Sequence, residues 1–469
     1  MIDESSTPGR ETLFTSPYAA ASAALGGVMF LTGFAALAVV PMLPLAARDL
    51  HGVGLYPLVA GCFVAASLLG GVLGGDWADR KGAWQPLGFG VVLGVLTLVV
   101  SGTSGSIWQL AAGRFLDGVA GGVIAVAVNA AVGQLFPARL QPRALALMSS
   151  CWIVPSLVGP PLAGLVSGWW SWRVVFLGLA VLSAVPAVVV VAILRRRERT
   201  VQSPPTPRTR PALPSALVVS LGAAAVQYGV TGWDATHLPW TLVGGALLLG
   251  FASRLLPGGT VRAVRGLPAS VLLRGLASGT YFTLEAFVPL LLDTARRTPG
   301  VVVGLSFTGA AVAWAGASWV QGRLPERVRR ERLVALGALV LVGAVAMGEV
   351  ATVRAVPAWT AGIAMVVAAL GMGVLAPSLT VLSLCHSPAD RQGAAGSAMQ
   401  TAQNLGQTVV LALASAAFAV QAGTLGGFRV ALGILLIPAL AVAILAGRAS
   451  GASANEATKG VGRTAVGAA

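Results

Sequence analysis

Residues 75–87, GDWADRKGAWQPL, form a short polar segment between two long apolar runs. The spacing of a glycine, an acidic residue and an arginine in this segment recurs in residues 322–333, GRLPERVRRERL. Each segment follows the second apolar run in a set of six, so the pair predicts a duplicated architecture with two halves in the same sense. The residues that carry the two patterns are Gly75, Asp79, Arg80, Gly82, Gly322, Glu326 and Arg327.

The composition is that of a membrane protein. Of 469 residues, 56% are hydrophobic and only 10% are charged, and the mean hydropathy is +0.82. Soluble domains carry about 25% charged residues, and a soluble chain with so few could not cover its own core. We therefore expect an all-α polytopic membrane protein. The three cysteines have neither disulfide nor metal-ligand spacing, which predicts no metal, no cofactor and no redox centre.

Fourteen apolar runs are long enough to cross a bilayer, which takes about 20 residues per helix. They lie at 20–46, 55–76, 84–103, 107–135, 144–168, 173–194, 215–232, 238–256, 268–292, 300–321, 333–350, 357–383, 394–421 and 425–447. The runs divide into six, two and six. For the middle pair, the alternative is a re-entrant or amphipathic linker.

The predicted domains follow from this division. They are a cytoplasmic tail over 1–19, a six-helix half over 20–194, a cytoplasmic linker over 195–214, two inserted transmembrane helices over 215–256, a second six-helix half over 257–447 and a cytoplasmic tail over 448–469.

The distribution of Lys and Arg sets the orientation. With both termini inside, 23 of the 31 basic residues fall in cytoplasmic segments and 6 in external ones, while Arg114 and Arg274 lie within helices. This asymmetry obeys the positive-inside rule. It predicts a multi-pass protein of the inner (plasma) membrane that contacts anionic lipid, and it leaves no basic face for nucleic acid.

Three motifs resemble those of the major facilitator superfamily. Residues 75–82 are similar to its motif A, although Ala83 and Trp84 stand where basic residues are usual. The start of the fourth run, LAAGRFLDGVAGG, resembles motif B, and VPSLVGPPLAGLVSGWWSWRVVF in the fifth resembles motif C, which is associated with antiporters. The matching residues are Arg114, Gly118 and Gly121 for motif B and Pro155, Gly159, Pro160 and Gly164 for motif C, where Pro155 replaces a glycine.

The resemblance extends over residues 20–447 and implies the major facilitator fold. Fourteen runs with two inserted between the halves look like the drug:proton antiporter branch. That branch commonly carries an aspartate in its first helix, whereas Ala35 stands near that position here. The two motif A-like segments are expected to act as a conformational latch between two rocking states, with a solvated turn as the alternative. The bent, tightly packed motif C helix is expected to seal the pathway.

Arg114 and Asp117 are one helical turn apart and can face one another. Burying either alone in the membrane would cost at least about 2.5–3.5 kcal/mol, so they are expected to pair. The pair has two possible roles, proton coupling or structure.

The thirteenth run carries amides at helical spacing. Gln400, Gln403, Asn404 and Gln407 recur at i, i+3, i+4 and i+7, which places them on one face of an apolar helix. We expect this face to line a substrate cavity, with interhelical amide packing as the alternative.

Glu285 lies in the middle of an apolar stretch, YFTLEAFVPLLL, about 10 Å from the external end of its helix. Burial favours the protonated carboxyl, and a carboxyl that can exchange its proton could couple transport to a proton gradient. Glu285 is therefore expected to carry protons, together with Asp117 and Arg114. A permanently protonated Glu285 that bonds two helices is the alternative.

These features favour proton-coupled efflux of amphipathic small molecules or drugs by alternating access. The alternatives are an exporter or flippase of lipid-like metabolites on the same fold and, less favoured, a non-transporting sensor or a channel. The sequence offers no catalytic constellation and no nucleotide-binding loop, so we predict neither an enzyme nor an ATP-driven pump. The expected partners are an amphipathic substrate, protons and membrane lipids, and the protein is expected to be a monomer.

The topology predicts the outcome of reporter fusions. Alkaline phosphatase, which is active only outside the cytoplasm, should be active when fused at Ala235 and inactive at Pro214 and Pro257. Green fluorescent protein fusions at the same positions should give the reverse pattern. If the phosphatase fused at Ala235 were inactive, the inserted pair would not span the membrane.

Overall fold

A computed structural model describes residues 13, 16–137, 140–197, 213–232, 234–324, 328–387, 392–421 and 424–450. Within those residues the chain forms α-helices joined by short turns. The helices are α1 (Ser16–Val39), α2 (Leu43–Asp49), α3 (Tyr56–Lys81), α4 (Trp84–Gly102), α5 (Ile107–Leu135), α6 (Gln141–Ser150), α7 (Ile153–Trp169), α8 (Trp172–Arg197), α9 (Leu213–Gly229), α10 (Leu238–Leu255), α11 (Leu267–Leu290), α12 (Gly300–Gly322), α13 (Arg330–Val350), α14 (Trp359–Cys385), α15 (Gln392–Ala419), α16 (Leu425–Ile434) and α17 (Leu436–Leu445).

Every predicted apolar run is helical, and among the described residues eleven helical segments are long and apolar enough to cross a membrane. The all-α polytopic class is thus confirmed. The remaining predicted spans correspond to α6 with α7, to α9, which has 17 residues, and to α15. That all fourteen runs cross the bilayer stays a prediction.

Three runs predicted as continuous helices are interrupted, and each interruption lies close before a proline. The run 425–447 divides between Ile434 and Leu436, and Pro438 has no N–H with which to bond the carbonyl of Ile434. The run 144–168 divides in the same way four residues before Pro155. In the first run, a short 3₁₀ turn that contains Pro41 separates α1 from α2.

The motif A-like segment is more helical than its polar sequence predicts. Helix α3 continues through Lys81, so the residues from Gly75 to Arg80 lie on its last turns. The chain turns only at Gly82, whose φ of 80° is a conformation that a residue without a side chain adopts readily. The helix thus continues beyond the apolar run predicted at 55–76, whereas the segment apolar enough to cross a membrane ends at Ala78.

The two halves use equivalent helix pairs. In the N-terminal half α3 packs closely on α5, and in the C-terminal half α12 packs in the same way on α14. A Cβ atom at Gly118 would overlap the carbonyl oxygen of Phe63, and one at Gly373 would lie 2.5 Å from the carbonyl oxygen of Trp314. Glycines thus bring the backbones together in both halves, as small residues do in membrane helix interfaces.

Two seams join the halves, α7 against α12 and α3 against α15. The inserted helix α9 lies along the second seam. The Gln227 side chain of α9, which is fully buried, donates to the carbonyl of Thr408 on α15 at 3.0 Å, and a Cβ atom at Gly61 on α3 would lie 2.5 Å from it. The inserted pair therefore contacts both halves through one helix.

The closest helix contact in the C-terminal half gives a stability prediction. A Cβ atom at Gly406 would overlap the carbonyl oxygen of Gly275, so Gly406→Ala should force α11 and α15 apart. Overpacking of this kind costs about 1–3 kcal/mol. We expect a lower midpoint of thermal unfolding for purified Gly406→Ala in detergent. Gly343→Ala is the matched control, because nothing lies within 4 Å of a Cβ atom there. Equal midpoints for the two variants would contradict this close contact.

Candidate functional site

Glu285 lies on α11 at the boundary between the halves. Glu285 is only partly buried, although its sequence neighbours Leu284 and Ala286 are buried. Among the described residues it makes no hydrogen bond and no ion pair, and Tyr56 and Tyr281 are the titratable groups it influences electrostatically. No hydrogen bond or ion pair among the described residues therefore fixes the charge state of this carboxyl.

The halves are tied together on the predicted external side of Glu285. The hydroxyl of Tyr56, at the start of α3, donates to the carbonyl of Ala286 at 2.7 Å, and both residues are buried. Nearer the surface, Arg48 forms an ion pair of 3.3 Å with Asp293, just after α11. Each contact joins the N-terminal half to the C-terminal half.

The motif C-like helix adds to this closure along its seam with α12. A Cβ atom at Gly164 would lie 2.7 Å from the carbonyl oxygen of Gly300, and one at Gly304 would lie 2.7 Å from that of Pro160. The hydroxyl of Thr308 donates across the seam to a carbonyl of α7 at 2.8 Å. The structure thus brings Pro160 and Gly164 into direct contact with the opposite half. Gly159 instead faces α1, and Pro155 lies buried near the start of α7.

The contacts of Tyr56, Arg48 and Gly164 lie near the predicted external ends of their helices. On the seam between α3 and α15, the amide of Asn404 reaches Ser67 near the middle of both helices, at 3.4 Å. Among the described residues, contacts of this kind hold the halves together toward the predicted external face.

Helix α11 presents a polar stripe. Arg274, Ser278, Tyr281 and Glu285 fall on one face, since the eleven residue steps from the first to the last make about three full turns. Arg274 donates to the Gln403 side chain at 2.8 and 3.1 Å, whereas the buried Ser278 hydroxyl has no partner. The stripe therefore holds a cation at one end and an acid at the other, about 16 Å apart along the helix.

Arg114 and Asp117 form the expected ion pair on α5, and Arg114 is only 3% exposed. The guanidinium lies over the ring of Phe63 on α3, 4.5 Å from its centroid. Its Nε has no hydrogen-bond partner. The pair lies within the N-terminal half, and no hydrogen bond or ion pair among the described residues joins it to Glu285.

The four amides of α15 have separate surroundings. Gln403 points to Arg274 on α11, and Asn404 points to Ser67 on α3. Around the circumference of α15, Gln400 and Gln407 lie between Gln403 and Asn404. Gln400 is exposed and donates a hydrogen bond to Asn404, whereas Gln407 is 8% exposed. Two of the amides therefore contact other helices, and two face the space between α11 and α3.

The latch residues are only partly described. Arg80 pairs with Asp76 one turn earlier on α3, at 2.7 Å, and both side chains are partly exposed. Gly322 ends α12. The side chain of Asp79, and Glu326 and Arg327 entirely, lie outside the described residues.

Another acid is held in a fixed charge state. Asp234, in the turn between α9 and α10, accepts hydrogen bonds from the Thr236 hydroxyl and from His237, both at 2.6 Å. The hydrogen bond from Thr236, followed by that from His237, holds the pKa of Asp234 well below its usual range. This carboxylate stays ionised at physiological pH and is unsuited to carrying a proton.

Two candidate functional residues, Tyr56 and Arg274, were not predicted from the sequence. Tyr56 shows no polar pattern because it starts a helix beside apolar residues, and its partner is 230 positions away. Arg274 lies within a predicted helix, and its spacing from Glu285 on one face of α11 is the sequence signal that could have identified it.

Comparison with known proteins supports the family resemblance. The model of the Major Facilitator Superfamily matches residues 25–411. A probable multidrug-efflux transporter of Mycobacterium tuberculosis is 27% identical over 416 residues, which cover 84% of this chain and 87% of that protein. The methylenomycin A resistance protein of Streptomyces coelicolor is 23% identical over 364 residues, which cover 74% of each chain.

Solved structures share the fold. A POT family transporter in complex with 5-aminolevulinic acid superposes with a TM-score of 0.70 at 13% identity, covering 92% of this chain and 97% of the other. A peptide transporter, POT, in complex with sulfate gives 0.68 at 15% identity, with coverage of 94% and 96%.

The external contact at Tyr56 makes a prediction about conformational balance. Tyr56→Phe removes one buried hydrogen bond between the halves, worth about 1 kcal/mol, and should enlarge the externally open population roughly fivefold. The larger open population would be detected by electron–electron distance measurements between spin labels attached at Gly105 and Ala355. The labels would be introduced in a protein whose three native cysteines have been replaced.

Tyr18→Phe is the matched control, since Tyr18 stacks on Phe136 near the other end of the bundle. Tyr56→Phe should add a longer distance that Tyr18→Phe lacks. If neither variant changed the distance distribution, the Tyr56 hydrogen bond would have no part in closure.

Proposed function

The chain belongs to the Major Facilitator Superfamily, and on that premise we propose that it exports amphipathic small molecules in exchange for protons by alternating access. The family and the names of its relatives make it a membrane transporter rather than an enzyme. Relatives named for multidrug efflux and for methylenomycin resistance support outward transport and a broad range of substrates. The proposed location is the inner membrane, with both termini in the cytoplasm. The proposed functional unit is the monomer.

The observation that carries the proposal is the unpartnered carboxyl of Glu285. A charged carboxylate without a partner is disfavoured within the membrane, so the carboxyl is neutral whenever its surroundings are dry. Opening toward water lowers the penalty on the charged form. Alternating exposure to the two faces therefore changes the proton affinity of Glu285, which is what coupling requires.

The transport cycle follows from the closed external contacts. In a conformation open to the cytoplasm, substrate would enter from that side and Glu285 would give up its proton there. When the contacts around Tyr56 and Arg48 open, substrate leaves and Glu285 is protonated from outside. The protonated, uncharged site then returns, because a neutral side chain crosses the closed state at lower cost.

Arg114 and Asp117 are proposed to assist. Protonation of Asp117 would break its ion pair with Arg114 and leave a buried cation without its counter-ion, at a cost of several kcal/mol. The pair therefore holds the N-terminal half in one arrangement until a proton arrives. The motif A-like segments are proposed to stabilise the closed cytoplasmic face in the other state.

The amide face of α15 and the polar stripe of α11 are proposed to line the substrate cavity. Gln400 and Gln407 can hydrogen-bond a substrate without requiring charge. Partly exposed aromatic side chains of Phe282 and Trp314 supply apolar area beside them.

The coupling role predicts a separation of two activities in Glu285→Gln. Everted vesicles with an acidic interior should accumulate a substrate of the wild type, identified from ethidium, 11-(dansylamino)undecanoate and its amide. Glu285→Gln should lose gradient-driven accumulation at least about tenfold and keep exchange of labelled for unlabelled substrate at equal pH, because exchange needs no proton. Asp117→Asn should reduce accumulation.

Glu349→Gln, at the end of α13, is the matched control and should behave as the wild type. Full gradient-driven accumulation in both Glu285→Gln and Asp117→Asn would remove these residues from coupling. Failure of the wild type to move any of the three compounds against a gradient would count against proton-coupled export of this class.

A further inference from the structure

Arg274 is a cation inside the membrane region without an acidic partner. It lies seven residues from the start of α11, about 10 Å along the helix. Its side chain donates two hydrogen bonds to the neutral amide of Gln403, and no carboxylate among the described residues forms an ion pair with it. Arg114, which also lies within a long apolar helix, is paired with Asp117.

Arg274 does not behave like a basic residue that merely reaches for the membrane surface. A side chain of that kind extends past its own helix end into the headgroups. Here both hydrogen bonds from the guanidinium hold it sideways against α15, between two helices of the C-terminal half. The residue is partly buried, and the structure orients its charge within the protein.

The surroundings of Arg274 include a polar group without a hydrogen-bond partner and an exposed amide. One turn along the same face, the buried hydroxyl of Ser278 makes no hydrogen bond. Gln400, one turn from Gln403 on α15, is exposed. A cation that is held in place but not neutralised, beside an unsatisfied hydroxyl and an exposed amide, is suited to bind an anionic oxygen group.

An apolar surface continues from this group along α11 and α12. The rings of Tyr281 and Trp314 pack edge to face with centroids 5.1 Å apart, and Phe282 packs on Tyr281 at the same distance. Phe282 and Trp314 are both partly exposed. The cation therefore lies at one end of an aromatic surface.

We propose that Arg274, positioned by Gln403, binds the anionic headgroup of an amphipathic substrate whose apolar body lies against Tyr281, Phe282 and Trp314. The headgroup is a carboxylate or another singly charged oxyanion, either of a free amphipathic acid or of an anionic lipid. This assignment rests on the proposed function and narrows its substrate class. The α11 stripe then has two separate tasks, since Arg274 holds the substrate charge and Glu285, about 16 Å away, exchanges the proton.

Equilibrium binding of two probes that differ only in charge tests this assignment. The probes are 11-(dansylamino)undecanoate and its primary amide, titrated by fluorescence against the full-length protein in phosphatidylcholine nanodiscs. The wild type should bind the acid about tenfold more tightly than the amide, the size expected for one charge-assisted hydrogen-bonded pair. Arg274→Gln should bind both equally, and Arg274→Lys should keep part of the preference.

Two controls guard against loss of folding and nonspecific charge effects. Arg254→Gln, which makes the same change at the exposed end of α10, should keep the preference for the acid. Arg274→Gln should bind the primary-amide probe as the wild type does. That result would show that the binding cavity is intact. Equal binding of the two probes by the wild type, or an undiminished preference in Arg274→Gln, would overturn the assignment.

A second arm distinguishes the two sources of the headgroup. Phosphatidylglycerol added to the nanodiscs should weaken binding of the acid to the wild type only if a lipid headgroup occupies the same site; no effect identifies the free acid as the ligand. Because the readout is binding, it remains informative if proton-driven transport is absent. Conversely, transport of ethidium alone, without a preference for the acid, would support export and refute this substrate class.

Discussion

An acidic side chain inside a membrane must be neutral, paired with a cation or in contact with water. The proposed proton coupling of this protein depends on which of these conditions Glu285 meets. The structure gives its carboxyl no partner among the described residues and leaves it partly exposed at the boundary between the two halves. Asp117 meets the same constraint differently, by pairing with Arg114. The two acids therefore differ in what their protonation does: for Glu285 it removes a charge, and for Asp117 it breaks an ion pair.

The helix packing decides which face Glu285 can reach. Contacts at Tyr56, Arg48 and the motif C-like helix hold the halves together on its predicted external side. The close approach of α7 to α12 depends on glycines that face backbone carbonyls, because a side chain there would hold the halves apart. Contacts made by backbone and a few hydrogen bonds can be broken and re-formed with little side-chain rearrangement, and a rocking transition needs seams of that kind.

Much of the architecture could be predicted from the sequence because hydrocarbon imposes a simple rule on helix length and composition. The positions of the helices and the pairing of Arg114 with Asp117 followed from run length and helical spacing. The helix interruptions did not, since proline is compatible with an unbroken helix elsewhere in the chain, as at Pro186 and Pro377. Whether a proline breaks a helix depends on how neighbours satisfy the freed carbonyl, which is a tertiary property.

The site could be predicted only where one helix contains both partners. Arg274 meets Gln403 across 129 positions, and Tyr56 meets Ala286 across 230. Such contacts depend on the rotation of each helix about its axis, and an apolar helix surrounded by protein and lipid has almost no pattern that reports that rotation. The amides of α15 illustrate the limit, since their common face was evident but two of the four, Gln403 and Asn404, contact other helices.

The most direct measurement is of the protonation of Glu285 itself. Infrared difference spectra on addition of a transported compound, recorded with ¹³C-labelled glutamate in wild type and Glu285→Gln, detect the carbonyl stretch of a protonated carboxylic acid. A label-sensitive loss of that band in the wild type, absent from Glu285→Gln, is the predicted result. Identical spectra for the two proteins would show that Glu285 keeps one protonation state throughout and does not couple transport to the gradient.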